Sequence, residues 1–435
     1  MEWWLILLMI FGGFVLLMSI GMPVAFAFTV VNLIGALIFW QGDVGQLVMS
    51  VYDSVANFAF LPVPLFVLMG EIMFQSGIAA RMLDVLDTWM GRLRGRLSLL
   101  AVTAGVIFAT MTGSSTAGVA MLGSLLVPDM EKRGYHKTMT LGPIMASGGL
   151  ATMIPPTALG VLLASLTRIS IGKFLIAIII PGLIMATMYA AYILIRCRIN
   201  PDLAPAYEVE RVPLSERLIL TLRYVLPLGF IIFLVIGLMF LGVASPTEAA
   251  ALGTVGCFIL AAVYGALKWT TVVKSFEGTM KITFMIFMIL TGSTAFAQML
   301  AYTGATSGLV QLVSTADIHP LFIVVLMQAV MLLMGCFMEA LSILMVTMPI
   351  FMPVIQTLGL DPMWFAVIAL INMETSVITP PFGLSLFVMK GVAPKGTTLG
   401  EVYRSAVPFV LLNVLAIIII FLLPGTVSWL PGLMK

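Results

Sequence analysis

The chain has 435 residues, 61% of them hydrophobic and only 9% charged, with a net charge of +2. A water-solvated domain of that size carries about a quarter charged residues. A soluble protein is therefore excluded, and lipid must solvate part of the surface. A membrane enzyme is disfavoured too, because the 2 histidines (His136, His319) fall in loops and the acids are scattered.

Chain order gives the spans. The opening Met1-Glu2-Trp3-Trp4 lacks a basic leader and a small-residue cleavage site, so it reads as a mature span with an aromatic interface anchor. Crossing the hydrocarbon core takes about 20 apolar residues. Ten segments qualify: 3–20, 22–40, 61–79, 138–167, 172–195, 224–243, 246–267, 282–303, 363–389 and 405–424. Two more, 97–128 and 320–353, are too long for one span and too short for two. Each is interrupted by small or polar residues, Gly113 to Thr116 in the first and Gly335 to Ser342 in the second. Two half-depth helices of about 14 residues, joined inside the membrane, fit both; such re-entrant backbone is tolerated where it lines a polar cavity. Segments 80–96 and 268–281 mix basic and apolar residues and suit helices lying in the interface plane. The charged link 196–223 reads as a cytoplasmic connector with a surface helix near 213–223.

Charge supports the hairpins. Arg92, Arg94 and Arg96 precede the first, and Lys132, Arg133 and Lys137 follow it, so both its ends are expected in the cytoplasm. The second lies within 282–389, which holds no Lys or Arg, so both its ends are expected outside. Threading the chain this way leaves only Arg168, Lys173 and Lys435 of the 21 basic residues outside, with both termini periplasmic.

The halves echo each other. Pro128 and Pro155-Pro156 recur 225 residues later as Pro353 and Pro380-Pro381. Weaker landmarks keep the same order: Pro23 with Pro246, Ser76-Gly77 with Thr303-Gly304, Pro181 with Pro408. An odd number of crossings per half inverts the second copy, a pattern of secondary transporters. The expected fold is an all-α integral membrane protein: an inverted repeat with about ten transmembrane helices and two re-entrant helical hairpins. Its parts are a first-repeat scaffold and arm (1–96), first transport elements (97–168) and a span with connector (169–223). Then come a second scaffold and arm (224–303), second transport elements (304–395) and a last span (396–435).

The proline pairs locate the chemistry. Two successive prolines end a helix, so the half-helices before Pro155 and Pro380 have unpaired carbonyls. With the hydroxyls of the hairpin tips, these make two oxygen cages suited to a hard cation. Among intramembrane acids, Glu339 in the second tip and Glu374 before the second break are functional candidates. Glu71 and Glu248 read as structural, and Cys197, Cys257 and Cys336 as packing residues.

The run Phe108 to Met130, Glu131-Lys132-Arg133-Gly134-Tyr135, Ile154-Pro155-Pro156, Ser170-Ile171-Gly172-Lys173-Phe174, Pro181-Gly182 and Thr379-Pro380-Pro381-Phe382-Gly383 resemble the large membrane (M) subunit of tripartite ATP-independent periplasmic (TRAP) transporters, DctM-like, across the whole chain. The resemblance implies an elevator-type fold like that of the ion-transporter superfamily. It also implies a Na+-driven importer of small organic acids, such as C4-dicarboxylates, in the bacterial inner membrane. Na+ is the coupling ion and no organic cofactor is expected. Implied partners are a small four-helix membrane subunit (Q), a periplasmic substrate-binding protein (P), a small carboxylate and the bilayer; no nucleic acid is involved. A first sodium would sit among Thr110, Ser114 and the carbonyls of Ala151, Ile154 and Pro156. A second would sit among Gly335, Ser376, Thr379 and Phe382. Ser115, Thr116, Thr157, Glu339 and Gly383 are the substrate candidates. Glu339 stands where the family commonly has Asp, and Ala151 and Ser376 where it commonly has Gly. Exposed Arg168 and Lys173 are expected to meet acidic groups on a docking binding protein. The alternative is a partner-independent divalent-anion/Na+ symporter. An ATP-driven permease subunit fits less well, since no Walker motif is present.

Overall fold

The apolar runs fold as helices whose ends are set by proline, glycine and polar caps. The structure, a computed structural model, describes residues 2–91, 93–112, 115–205, 212–316, 318–335 and 338–434, and the side chains of all these except 108–112. The first half holds α1 (Trp3–Ser19), α2 (Val24–Phe39), α3 (Gly45–Val55), α4 (Pro62–Gln75), α5 (Ile78–Met90), α6 (Arg96–Thr112), α7 (Ser115–Lys132), α8 (Lys137–Met153), α9 (Ala158–Leu166), α10 (Ile171–Ala177) and α11 (Ile179–Ile199). The second holds α12 (Leu214–Leu220), α13 (Leu226–Phe240), α14 (Pro246–Val263), α15 (Trp269–Tyr302), α16 (Ala305–Thr315), α17 (Pro320–Met334), α18 (Ala340–Thr357), α19 (Pro362–Ser376), α20 (Leu384–Val392), α21 (Leu399–Leu422) and α22 (Gly425–Ser428). Among the described residues there is no strand.

Proline opens α4, α14, α17 and α19, where its missing N–H would have had no helical partner. Ser245 with Glu248, and Thr398 with Glu401, form capping boxes; that is the structural role of Glu248. Gly77 (φ 70°) and Gly304 (φ 73°) make the left-handed turns after α4 and α15, a conformation glycine adopts without strain.

Among the described residues, 7 helices are long and apolar enough to cross a membrane, or 8 if α8 and α9, bent by 50°, form one span. The helices α1, α2 and α17 are shorter apolar helices, as is the Arg96–Ile107 part of α6. The pairs α6–α7 and α17–α18 fill the two segments predicted as hairpins, and the members of each pair touch.

Two predicted interfacial elements come out differently. Residues 269–302 form one helix of 34 residues, so 268–281 is not a separate arm. No proline or glycine turn interrupts it, and Thr271, Ser275 and Thr279 are buried along its N-terminal part. The helix occupying the same place as α5, after a left-handed glycine, is α16. The expected surface helix near 213–223 likewise runs on through a π-helical turn, Thr221–Val225, into α13. The short amphipathic helix α3 was not expected.

The interior is built on α8 and α19. Every residue from Met139 to Met153 and from Trp364 to Ser376 is buried, as befits helices apolar on all faces. The helices α6, α7, α11, α19 and α21 surround α8, and α8, α17, α18 and α21 contact α19. Both central helices thus stop at the proline pairs in the middle of the packed region.

Candidate transport site

The first break follows from backbone chemistry. Pro155 and Pro156 have no N–H, so the carbonyls of Ala151 and Thr152 lose their helical donors. Among the described residues no donor reaches the carbonyl oxygens of Ile154, Pro155 or Pro156. Thr157 then caps α9, accepting from the Gly160 N–H at 3.4 Å. Both proline–proline bonds are cis. Glycines let the hairpin helices lie against α8: a Cβ on Gly148 would stand 2.6 Å from the Ser115 carbonyl oxygen, and one on Gly105 2.6 Å from Ser147 Cβ. Ala151, Ile154 and Pro156 of the first sodium set thus share one break. Thr110 lies in α6 with its side chain outside the described residues, and Ser114 lies wholly outside them.

The second break spans residues 377–383 between α19 and α20. Gly335, at the end of α17, lies directly on Ser376, and Thr379 N–H donates to the Ser376 carbonyl at 3.1 Å. The Ser376 hydroxyl donates to Met373 O at 2.7 Å and that of Thr379 to Thr375 O at 2.6 Å. Their protons are used within α19, which leaves oxygen lone pairs. The Thr379 carbonyl accepts from Gly383 N–H at 3.1 Å, so only part of its capacity is open. The Phe382 ring is 54% exposed and leaves the backbone as that residue's donor.

Between the breaks lies a cavity of about 310 Å³ lined by Ser115, Thr116, Thr152, Glu339 and Glu374 together with apolar residues of α4, α9, α15 and α18. Among the described residues no Lys, Arg or His lines it. Of the five substrate candidates, Ser115, Thr116 and Glu339 meet here. Thr157 is buried in its cap, and Gly383 sits in the second break, where a Cβ would stand 2.5 Å from Val377 O; neither lines the cavity. Glu339 is half-buried at the N-cap of α18, where the helix dipole favours a negative charge. Sequence reasoning singled out Glu374 as an acid but did not assign it to a site, and it passed over Thr152. The available signal was an acid two turns before a proline pair.

Arg168, exposed with φ 56°, lines a different cavity of about 490 Å³ with Asp53, Asn57, Thr294 and Gln356. Lys173 is exposed in the first turn of α10 and does not line that cavity.

Among the described residues, helices of membrane length, with α8 and α9 as one interrupted pair, define a multi-pass membrane protein. Residues 11–426 match the family described as tripartite ATP-independent periplasmic transporter, DctM component. The chain belongs to that family and is a large permease component of a TRAP transporter. It is similar to the C4-dicarboxylate TRAP transporter large permease protein DctM of Pseudomonas aeruginosa, 31% identical over 397 residues, with 91% of each chain covered. It is also similar to the isethionate TRAP transporter permease protein DctMQ of Oleidesulfovibrio alaskensis, at 26% identity over 97% of this chain and 66% of that protein. Among solved structures the fold resembles the YdaH transporter of Alcanivorax borkumensis, with a TM-score of 0.64, 17% identity, and 91% of this chain and 90% of that one covered.

Proposed function

We propose that this chain is the large membrane subunit of a Na+-driven importer of small organic anions in a bacterial inner membrane. The two halves form an inverted repeat, α6–α7 and α17–α18 are re-entrant hairpins, and the substrate crosses by an elevator motion. One observation carries the reading: each broken helix meets a helix end of its own hairpin, Gly148 against Ser115 and, most closely, Ser376 against Gly335. A bound Na+ would be held by carbonyls and hydroxyls from both pieces and would fix their relative position. The cavity between the breaks has no basic side chain among the described residues, so a carboxylate or sulfonate entering it needs bound Na+ for charge compensation.

Related permeases named for C4-dicarboxylate and for isethionate support an anion as the substrate class. The name and greater length of the DctMQ relative support a small membrane subunit as companion. A periplasmic binding protein delivers the substrate, and exposed Arg168 and Lys173 guide its approach.

Uptake into proteoliposomes, with and without the two partners, tests this. A Na+ gradient should drive uptake, ATP should have no effect, and omission of either partner should abolish transport of free substrate. Full Na+-driven uptake by this chain alone would instead establish the partner-free symporter.

A further inference from the structure

We infer that Glu374, with Thr152 and Ser115, forms an additional Na+ site between the two halves of the chain, separate from the two cages at the breaks. The inference rests on Na+-driven transport as proposed above. Glu374 is 1% exposed, and neither carboxylate oxygen has a hydrogen-bond partner among the described residues. It lines the 310 Å³ cavity, which offers no cationic side chain among the described residues to neutralise it. An isolated carboxylate in such surroundings is stable only when a positive charge or a proton joins it.

The surroundings favour a metal cation. Thr152 and Ser115 line the same cavity as the carboxylate. The Thr152 hydroxyl donates to Gly149 O at 3.2 Å, so its oxygen turns lone pairs, not a proton, to its other neighbours. Carboxylate and hydroxyl oxygen are then two acceptors side by side, an arrangement that a cation between them resolves. Two helix C-termini converge there as well. Glu374 lies in the last turn of α19 and Thr152 in the last turn of α8, and the negative ends of helices attract cations. Of the positive helix ends that line the cavity, the starts of α7, α9 and α18, none donates a hydrogen bond to either Glu374 oxygen. Gly149 makes the close approach possible, since a Cβ there would stand 3.1 Å from Glu374 Oε2. Oxygen donors of this kind suit a hard ion. A Na+ at this point would tie α8 and α7 of the first half to α19 of the second.

The test uses the purified transporter with its small subunit, titrated with Na+ in choline buffer. Na+ stoichiometry is read by 22Na+ binding and stabilisation by thermal unfolding. Glu374→Gln should bind one Na+ fewer than the wild type and gain less stability from Na+. It should be more stable than the wild type in choline alone, because no buried charge is left uncompensated. Thr152→Val, which keeps the carboxylate, should raise the half-saturating Na+ concentration on the order of tenfold. Unchanged Na+ stoichiometry and affinity in Glu374→Gln would overturn the site. Stabilisation of the wild type by acid in choline to the full extent given by Na+, absent in Glu374→Gln, would assign the position to a proton and overturn it equally. Wild-type uptake indifferent to Na+ would instead defeat the transport reading itself, a result distinct from both.

Discussion

Gly335 and Ser376 are in contact across the tip of the α17–α18 pair: a Cβ on Gly335 would fall 2.0 Å from Ser376 Cβ and 2.2 Å from its Oγ. No rotamer change relieves an overlap with a Cβ, so Gly335→Ala must separate the tip from the broken helix. Na+-activated uptake should fall by at least about tenfold, the effect of a ligand misplaced by about 1 Å. Ser376→Gly removes the obstructing atoms, and the double variant should recover part of the loss. A double-mutant cycle on the Na+ activation constant measures the coupling. Purely additive losses would mean that the contact does not set the site.

The first break depends on two missing N–H groups. Pro155→Ala with Pro156→Ala returns donors to the carbonyls of Ala151 and Thr152 and lets α8 extend. Na+ dependence should weaken strongly while the protein remains folded, and Pro380→Ala with Pro381→Ala should act likewise at the second break. Unchanged Na+ activation in either pair would count against carbonyl ligands.

Topology is tested by cysteine accessibility. Cysteines at Arg94 and His136, on either side of α6–α7, should both label from the cytoplasm. Cysteines at His319 and Thr357, flanking α17–α18, should both label from outside. Labelling of one pair from opposite sides would remove that hairpin and the inverted repeat with it.

Tyr189 of α11 and Asn413 of α21 are each 1% exposed, and the Tyr189 hydroxyl donates to Asn413 Oδ1. Tyr189→Phe keeps the ring against Phe409, whose centroid lies 5.4 Å away, but leaves the amide oxygen unpaired. The cost should be about 1–3 kcal/mol, read as a lower unfolding midpoint in detergent. Tyr189→Phe with Asn413→Leu removes both partners and should cost less than Tyr189→Phe alone.

Local chemistry was legible in the sequence and long-range contact was not. The proline pairs placed the breaks after Met153 and Ser376, because a residue without N–H acts on its own helix. Segment length and loop charge located the paired helices 96–132 and 320–357. Residues 268–281 misled because an amphipathic, basic stretch at an interface reads the same whether it lies flat or continues a span. The helix α3 was missed because 11 residues interrupted by Gln46, Ser50, Asp53 and Ser54 carry no apolar run. The resemblance named Ser115, Thr116 and Glu339, which line the cavity, but the meeting of Thr152 and Glu374 was beyond reach, because they come together only through the packing of α8 on α19.

The interleaving of α8 and α19 also constrains how the chain is made. Part of the cover over residues 137–153 comes from 362–376 and 399–422 of the second half, yet 225 residues separate the equivalent points of the two halves. At about 5–20 residues per second, a ribosome needs on the order of 10–45 s to supply the missing helix. During that interval the first half waits in the bilayer with its central helix incompletely enclosed and its proline break uncovered. A chain interrupted in the charged connector would stay in that state, so the product of half a message would be a substrate for membrane quality control rather than a working half-transporter.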